Sequence, residues 1–249
     1  AGNPLVDPDD PNTEGLLLSG LMTGDGKPLA KDTTDIVVDT TAPVVSVSYD
    51  NNDARGSYYN KARTVTITVV EGSFSYIRDN DAERAIATIG VDGTTHDVTA
   101  RQFENPSGDG VTWVYTEELS QDGDWTVDVS LTDPAGYASN EVHDAFTIDT
   151  LAPMITVEFD NNDARSGMYF NRPRTATVTV RERNFDPSLM GVSASAKDAS
   201  GNAADAPGAS GWSATGEQDT WSCTVHFGGE LHYGLSVSAA DPAGNQAEA

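Results

Sequence analysis

The chain has 249 residues, 39 acidic against 14 basic, and a formal net charge of −25. So acidic a surface repels the phosphates of nucleic acids and anionic membrane surfaces, which makes both poor partners. No apolar run approaches the ~18 residues of a membrane span, and the single cysteine, Cys223, rules out an internal disulfide.

In chain order, Leu16 to Met22 followed by Gly24-Asp25-Gly26 reads as a strand and turn, and Asp35-Ile36-Val37-Val38 as a short strand. Leu16-Leu17-Leu18 has acidic flanks and no basic leader, unlike a signal peptide. Val45, Val47 and Tyr49 alternate with serines, and Val65, Ile67 and Val69 with threonines, predicting two half-buried strands rich in β-branched residues. Ile86 to Val91 is a third strand, closed by the hairpin signal Asp92-Gly93. Val111 to Tyr115 and Trp125 to Leu131 supply two more, and Phe146 and Ile148 belong to the last. Short strands separated by frequent turn signals, without helical periodicity, predict an all-β sandwich.

The pattern then starts again. Asp39 to Arg55 (DTTAPVVSVSYDNNDAR) aligns without a gap on Asp149 to Arg165 (DTLAPMITVEFDNNDAR). After one insertion Tyr59-Asn60 meets Phe170-Asn171, and Arg63 to Val69 meets Arg174 to Val180. Trp113 meets Trp221, Tyr115 meets Cys223, and Asp133-Pro-Ala-Gly136 meets Asp241-Pro-Ala-Gly244. The alignment predicts a β-sandwich over 39–148 and another over 149–249, whose last strand is missing. Residues 1–38 read as the closing hairpin of a preceding module and a linker. Trp125 and Tyr233 occupy one position near the start of the penultimate strand, where a tyrosine corner is found in sandwich folds.

The combination of D-T-x-A-P, Y/F-D-N-N-D, R-T-x-T-x-T-V and D-P-A-G-N, carried by Asp39–Pro43 and Asp149–Pro153, Tyr49–Asp53 and Phe159–Asp163, Arg63–Val69 and Arg174–Val180, and Asp241–Asn245, resembles the immunoglobulin-like repeats of large bacterial cell-surface proteins. The first unit departs from it with Tyr137 in place of the final Asn. The resemblance implies tandem Ig-like or fibronectin-III-like sandwiches on the bacterial surface or in the cell wall. It implies an architectural role, spacing or presenting an adhesive region, with neighbouring Ig-like modules of the same chain as the immediate partners. It does not specify a ligand, because such modules serve as spacers, adhesive tips and enzyme accessories.

Chemistry is sparse. His96, His143, His226 and His232 lack metal-ligand spacing, no nucleophile or phosphate-binding motif is present, and the carboxylate pairs lie in turns with nothing to raise a pKa for acid catalysis. The chain therefore reads as no enzyme. Two readings of its acidity remain: a solvated surface, or carboxylates converging on calcium, a cation that takes hard oxygen ligands. The linker acids Asp39 and Asp149, with Asp133 in a nearby turn, are the candidates for a calcium site between sandwiches. The duplicated hexapeptide adds Asp50, Asp53, Asp160 and Asp163, but Ala54 stands where an EF-hand needs a ligand, and Asn and Asp equally well cap turns by bonding their own backbone. The alternative from another class is a module that binds host protein or carbohydrate, with Trp212, unmatched across the repeat, as the aromatic to which a sugar would stack.

Overall fold

The structure, a computed structural model, describes residues 37–248. The strand and turn expected over Leu16–Gly26 lie outside the described residues, as does most of the strand expected at Asp35–Val38. The chain divides into a unit ending at Thr40 and a compact unit from Thr41 onward. In the former, Val37 and Val38 are exposed and Asp39 is half-buried. No helix among the described residues is long and apolar enough to cross a membrane.

From Thr41 the chain is an all-β structure of two successive sheet pairs. The first pair contains β1 (Val44–Tyr49), β2 (Tyr58–Tyr59), β3 (Arg63–Val70), β4 (Ala85–Val91), β5 (Thr94–Thr99), β6 (Thr112–Leu119), β7 (Gly123–Val129) and β8 (Val142–Ile148). One sheet runs β1-β3-β6, the other β2-β8-β7-β4-β5. In β3, Val65, Ile67 and Val69 point inward while the threonines between them face out, as a period of two requires. Asp92 and Gly93 both take positive φ between β4 and β5, the hairpin geometry that the dipeptide favours.

The inward residues of both sheets form one continuous core, which includes Ile67 and Trp113 from one sheet and Ile89, Val127 and Phe146 from the other. It is closed by a helix that the strand pattern did not announce, α1 (Phe74–Asn80), which buries Phe74 and Ile77. Phe74 packs against Phe103 and Trp113 at ring separations of 5.4 and 5.2 Å.

The second pair contains β9 (Met154–Phe159), β10 (Arg174–Arg181), β11 (Met190–Lys197), β12 (Ala203–Ala204), β13 (Ser213–Ala214), β14 (Thr220–Phe227), β15 (His232–Ala240) and β16 (Gln246–Glu248). The sheets run β13-β14-β10-β9 and β12-β11-β15-β16. Val157 faces Val178 across β9 and β10 in the register by which Val47 faces Ile67 across β1 and β3. Its interior is leaner: two small clusters, around Ala176, Val225 and Phe227 and around Val178, Cys223 and Val237, with half-buried neighbours. Burial raises the Cys223 thiol pKa and leaves it an inert core residue.

At the corner position, the Tyr233 hydroxyl accepts the backbone N–H of Gly229, four residues upstream, at 2.9 Å. Trp125 reaches the same distance back in the first sandwich, but there the indole N–H donates to the Gln121 carbonyl at 2.9 Å. Two side chains of opposite polarity thus anchor the same turn.

Candidate metal centre

β8 runs directly into Asp149, whose N–H donates to the Tyr59 carbonyl at the end of β2 (2.9 Å). Its own carbonyl accepts Asn245 Nδ2, in the turn between β15 and β16 (2.8 Å). This residue is thereby fixed between the two sandwiches, and its side chain meets two others. Glu182, just past β10, and Asp241, just past β15, bring carboxylate oxygens within 4.8 Å of one another and of Asp149. All three are buried, at 6%, 6% and 2% exposure.

The scaffold that holds them is neutral. Asn184 Nδ2 donates to Asp149 Oδ2 (2.8 Å), the Asn184 N–H to Glu182 Oε1 (2.7 Å), and Asn245 donates from its backbone and its amide to the two oxygens of Asp241 (2.9 and 2.7 Å). Among the described ion pairs none involves these carboxylates; Arg183, next to Glu182 in sequence, is engaged elsewhere. The electrostatic consequence follows from burial and like charge. Desolvation, with Asp149 and Asp241 nearby, pushes the pKa of Glu182 from 4.5 up to about 7, and Asp149 is raised for the same reasons.

The corresponding places in the first sandwich hold a second pair. Glu71 and Asp133 are buried (3% and 4% exposed), and their oxygens lie within 4.8 Å. Glu71 Oε1 accepts the N–H and hydroxyl of Ser73 at 2.6 and 2.7 Å. Asp133 Oδ1 accepts the Tyr137 N–H at 2.9 Å, while Oδ2 is buried with no hydrogen-bond partner. An orphaned carboxylate oxygen costs free energy unless something electropositive meets it. In sequence Asp39 stands to this pair as Asp149 stands to Glu182 and Asp241.

The donor set selects the class of ion. The grouped ligands are carboxylates only, with no imidazole or thiolate among them. The histidines go elsewhere: His96 to Glu117 (3.0 Å), His143 to Asp128 (2.5 Å), His226 to Thr175 (3.2 Å), and His232 to the edge of the Tyr169 ring. Oxygen-only coordination suits a hard cation such as calcium, magnesium or manganese, whereas copper and structural zinc sites favour nitrogen or sulfur.

The hexapeptide is built differently. Asn51 Oδ1 accepts the Asp53 N–H and Asn161 Oδ1 the Asp163 N–H, both at 3.1 Å, closing the same turn twice. The turn carbonyls hold an arginine: Arg63 Nε donates to the Asn51 carbonyl (2.9 Å), and Arg174 Nε to that of Asn161 (2.6 Å). Arg63 lies over the rings of Tyr49 and Tyr59 at 3.7 and 3.8 Å, and Arg174 over Phe159 and Phe170 at 3.8 and 3.9 Å. Asp50 accepts both the N–H and the hydroxyl of Thr64, and Asp160 the N–H of Thr175. Asp53 is exposed and Asp163 pairs at the surface with Arg172. Among the described residues, none of these four aspartates belongs to a carboxylate group that could hold an ion.

Of the linker and turn candidates, Asp149 and Asp133 lie in the two buried groups. Glu71, Glu182 and Asp241 were not singled out from sequence. The signal existed: the gap-free match from Arg63 to Val69 continues to Glu71-Gly-Ser-Phe74 against Glu182-Arg-Asn-Phe185. Trp212 is half-buried, with its ring 5.5 Å from Phe185, which stacks in turn on Trp221 at 4.7 Å. A comparison with protein-family models finds no match, and neither does a comparison with curated protein sequences.

Proposed function

We propose that this chain is a non-catalytic, architectural part of a bacterial cell-surface protein, in which Ig-like sandwiches are joined in series and calcium fixes the joints. The observation that carries the reading is the burial of Asp149, Glu182 and Asp241 together, without a counter-charge, at the residue where the first sandwich passes into the second. A divalent cation there balances charges that otherwise repel, and it ties the linker to two strand ends of the second sandwich. The orphaned Asp133 oxygen beside Glu71 supports the same role in the first. The lack of a nucleophile or phosphate-binding motif in the sequence supports a role in spacing or presentation.

The test is calorimetric titration of calcium into the metal-free protein. The reading expects saturable binding that Glu182→Gln and Asp241→Asn each abolish at the second site while the sandwiches stay folded. No heat of binding at millimolar calcium would sink it.

A second reading draws on the half-buried aromatic group of Phe185, Trp212 and Trp221, which offers a ring edge to a sugar. Binding to a glycan array that Trp212→Ala removes would favour it; an empty array would exclude the carbohydrate version.

A further inference from the structure

The four residues after Val180 face in two directions. β10 ends at Arg181; Glu182 turns into the carboxylate group and Asn184 donates to Asp149. Arg183, between them, reaches across to the first sandwich. Its Nη1 and Nη2 donate to Asp92 Oδ2 and Oδ1 at 3.2 and 2.6 Å, and Nη2 also donates to Asp124 Oδ2 at 3.0 Å.

The receiving aspartates are already in position. Asp92 Oδ1 accepts the Asp124 N–H (2.9 Å), and Asp124 Oδ1 accepts the Thr147 hydroxyl (2.7 Å). Gly123 keeps the space open, since a methyl there would come within 2.9 Å of Asp92 Oδ2. A planar guanidinium gripping two pre-positioned carboxylates, one of them bidentately, is specific in direction as well as charge. The position aligned with Arg183 in the first sandwich is Gly72, which has no side chain to offer.

We propose that Arg183 is an orientation lock, coupled to cation occupancy because it shares one short segment with Glu182 and Asn184. A cation that draws Glu182 toward Asp149 and Asp241 settles the backbone from which Arg183 reaches, so binding at the carboxylate group tightens the grip on Asp92 and Asp124. By reciprocity the grip raises the affinity for the cation. The coupling rests on the calcium reading above; the lock itself does not.

The experiment places nitroxide labels at Ser75→Cys and Ser236→Cys in a Cys223→Ala background and measures their distance distribution by pulsed electron resonance, in chelator and in calcium. Calcium affinity is titrated alongside. The expected result is a distribution that broadens with Arg183→Gln in chelator, narrows in calcium only when Arg183 is present, and a calcium affinity weakened about fivefold by the substitution. Arg183→Glu should broaden it further, and adding Asp124→Arg should restore part of the order, which a merely misfolded variant would not do. Equal widths for wild type and Arg183→Gln in chelator overturn the lock. Equal affinities with calcium-independent widths overturn the coupling. If calcium binds neither protein, the coupling falls with the calcium reading, and the widths in chelator still decide the lock.

Discussion

The two sandwiches share a register and a set of anchors yet are stabilised differently. The first has a continuous core capped by α1, with Phe74 fully enclosed between Phe103 and Trp113. In the second, the aligned Phe185 is half-buried, and the residues after it form only a short 3-10 turn, Pro187–Leu189. Pro187 stands early in that turn, and Asp186 accepts the Ser188 N–H at its start. Where apolar burial is smaller, charge has a larger share of the balance. The second sandwich carries a carboxylate group whose three members are all buried, and the arginine that ties it to its neighbour. The difference teaches that, of two sandwiches sharing a register, one can rest on its core and the other on its junction.

The sharpest way to break this comparison is through the paired arginines. Arg63 is 3% exposed and lies against three rings, the third being Phe146, whereas Arg174 is half-buried between two. Arg63→Ala should cost the first sandwich about 3–5 kcal/mol and Arg174→Ala the second about 1–2 kcal/mol, read from urea unfolding. Lysine should rescue neither fully, lacking the flat face that stacks. Equal losses would show the two anchors to be equivalent.

Calcium should act in the opposite sense. At ~100 times its dissociation constant it adds about 2.7 kcal/mol, which for the second sandwich means a Tm higher by about 10 °C or more. Glu182→Gln should erase that shift. A calorimetric trace in which only the first transition moved would reverse the assignment.

Acidity sharpens the same point. Glu182 is raised to about 7 in the folded chain against 4.5 ordinarily, so without metal the folded state holds a proton that the unfolded state releases. That contribution is full below about pH 4.5 and is lost as pH rises to 7, on the order of 2–3 kcal/mol. Metal-free Tm should therefore fall over this window through Glu182. Glu182→Gln should flatten the slope, and calcium, which prefers the carboxylate, should invert it. A metal-free slope unchanged by the substitution would show that Glu182 is ionised in the fold.

The smallest effect belongs to the hexapeptide. Asp53→Ala and Asp163→Ala, at exposed positions, should change stability by less than about 0.5 kcal/mol and leave calcium affinity untouched.

Much of the sheet structure was legible because alternation is local: Val65-Thr-Ile-Thr-Val69 declares its inward face without reference to anything else. The helix was not, since seven residues with apolar positions only at Phe74, Tyr76 and Ile77 are too short for a period to emerge, and Gly72-Ser73 before them reads as a turn. Within the site, Asp149 and Asp133 stood out as acids in a linker and a turn. Glu182 was hidden at the end of a strand, where an acid looks like ordinary solvation. Its place in the carboxylate group depends on the ends of β10 and β15, strands of different sheets, bringing Glu182 and Asp241 together, a long-range fact. The arginines were visible as part of a motif, but their role came only when β1 and β2 brought Tyr49 and Tyr59 to either side of Arg63.

The pairing of β2 with β8 has a mechanical consequence. Tyr58 and Tyr59 run parallel to Thr147 and Ile148, immediately before the chain leaves the first sandwich. A pull on the chain beyond Asp149 draws β8 lengthwise along β2, so its bonds are sheared together rather than opened one at a time. The Asp149 N–H bond to Tyr59 comes under tension at the same moment. Tension then falls on the whole edge of the first sandwich, and this edge should yield under a higher force than a hairpin peeled from its end.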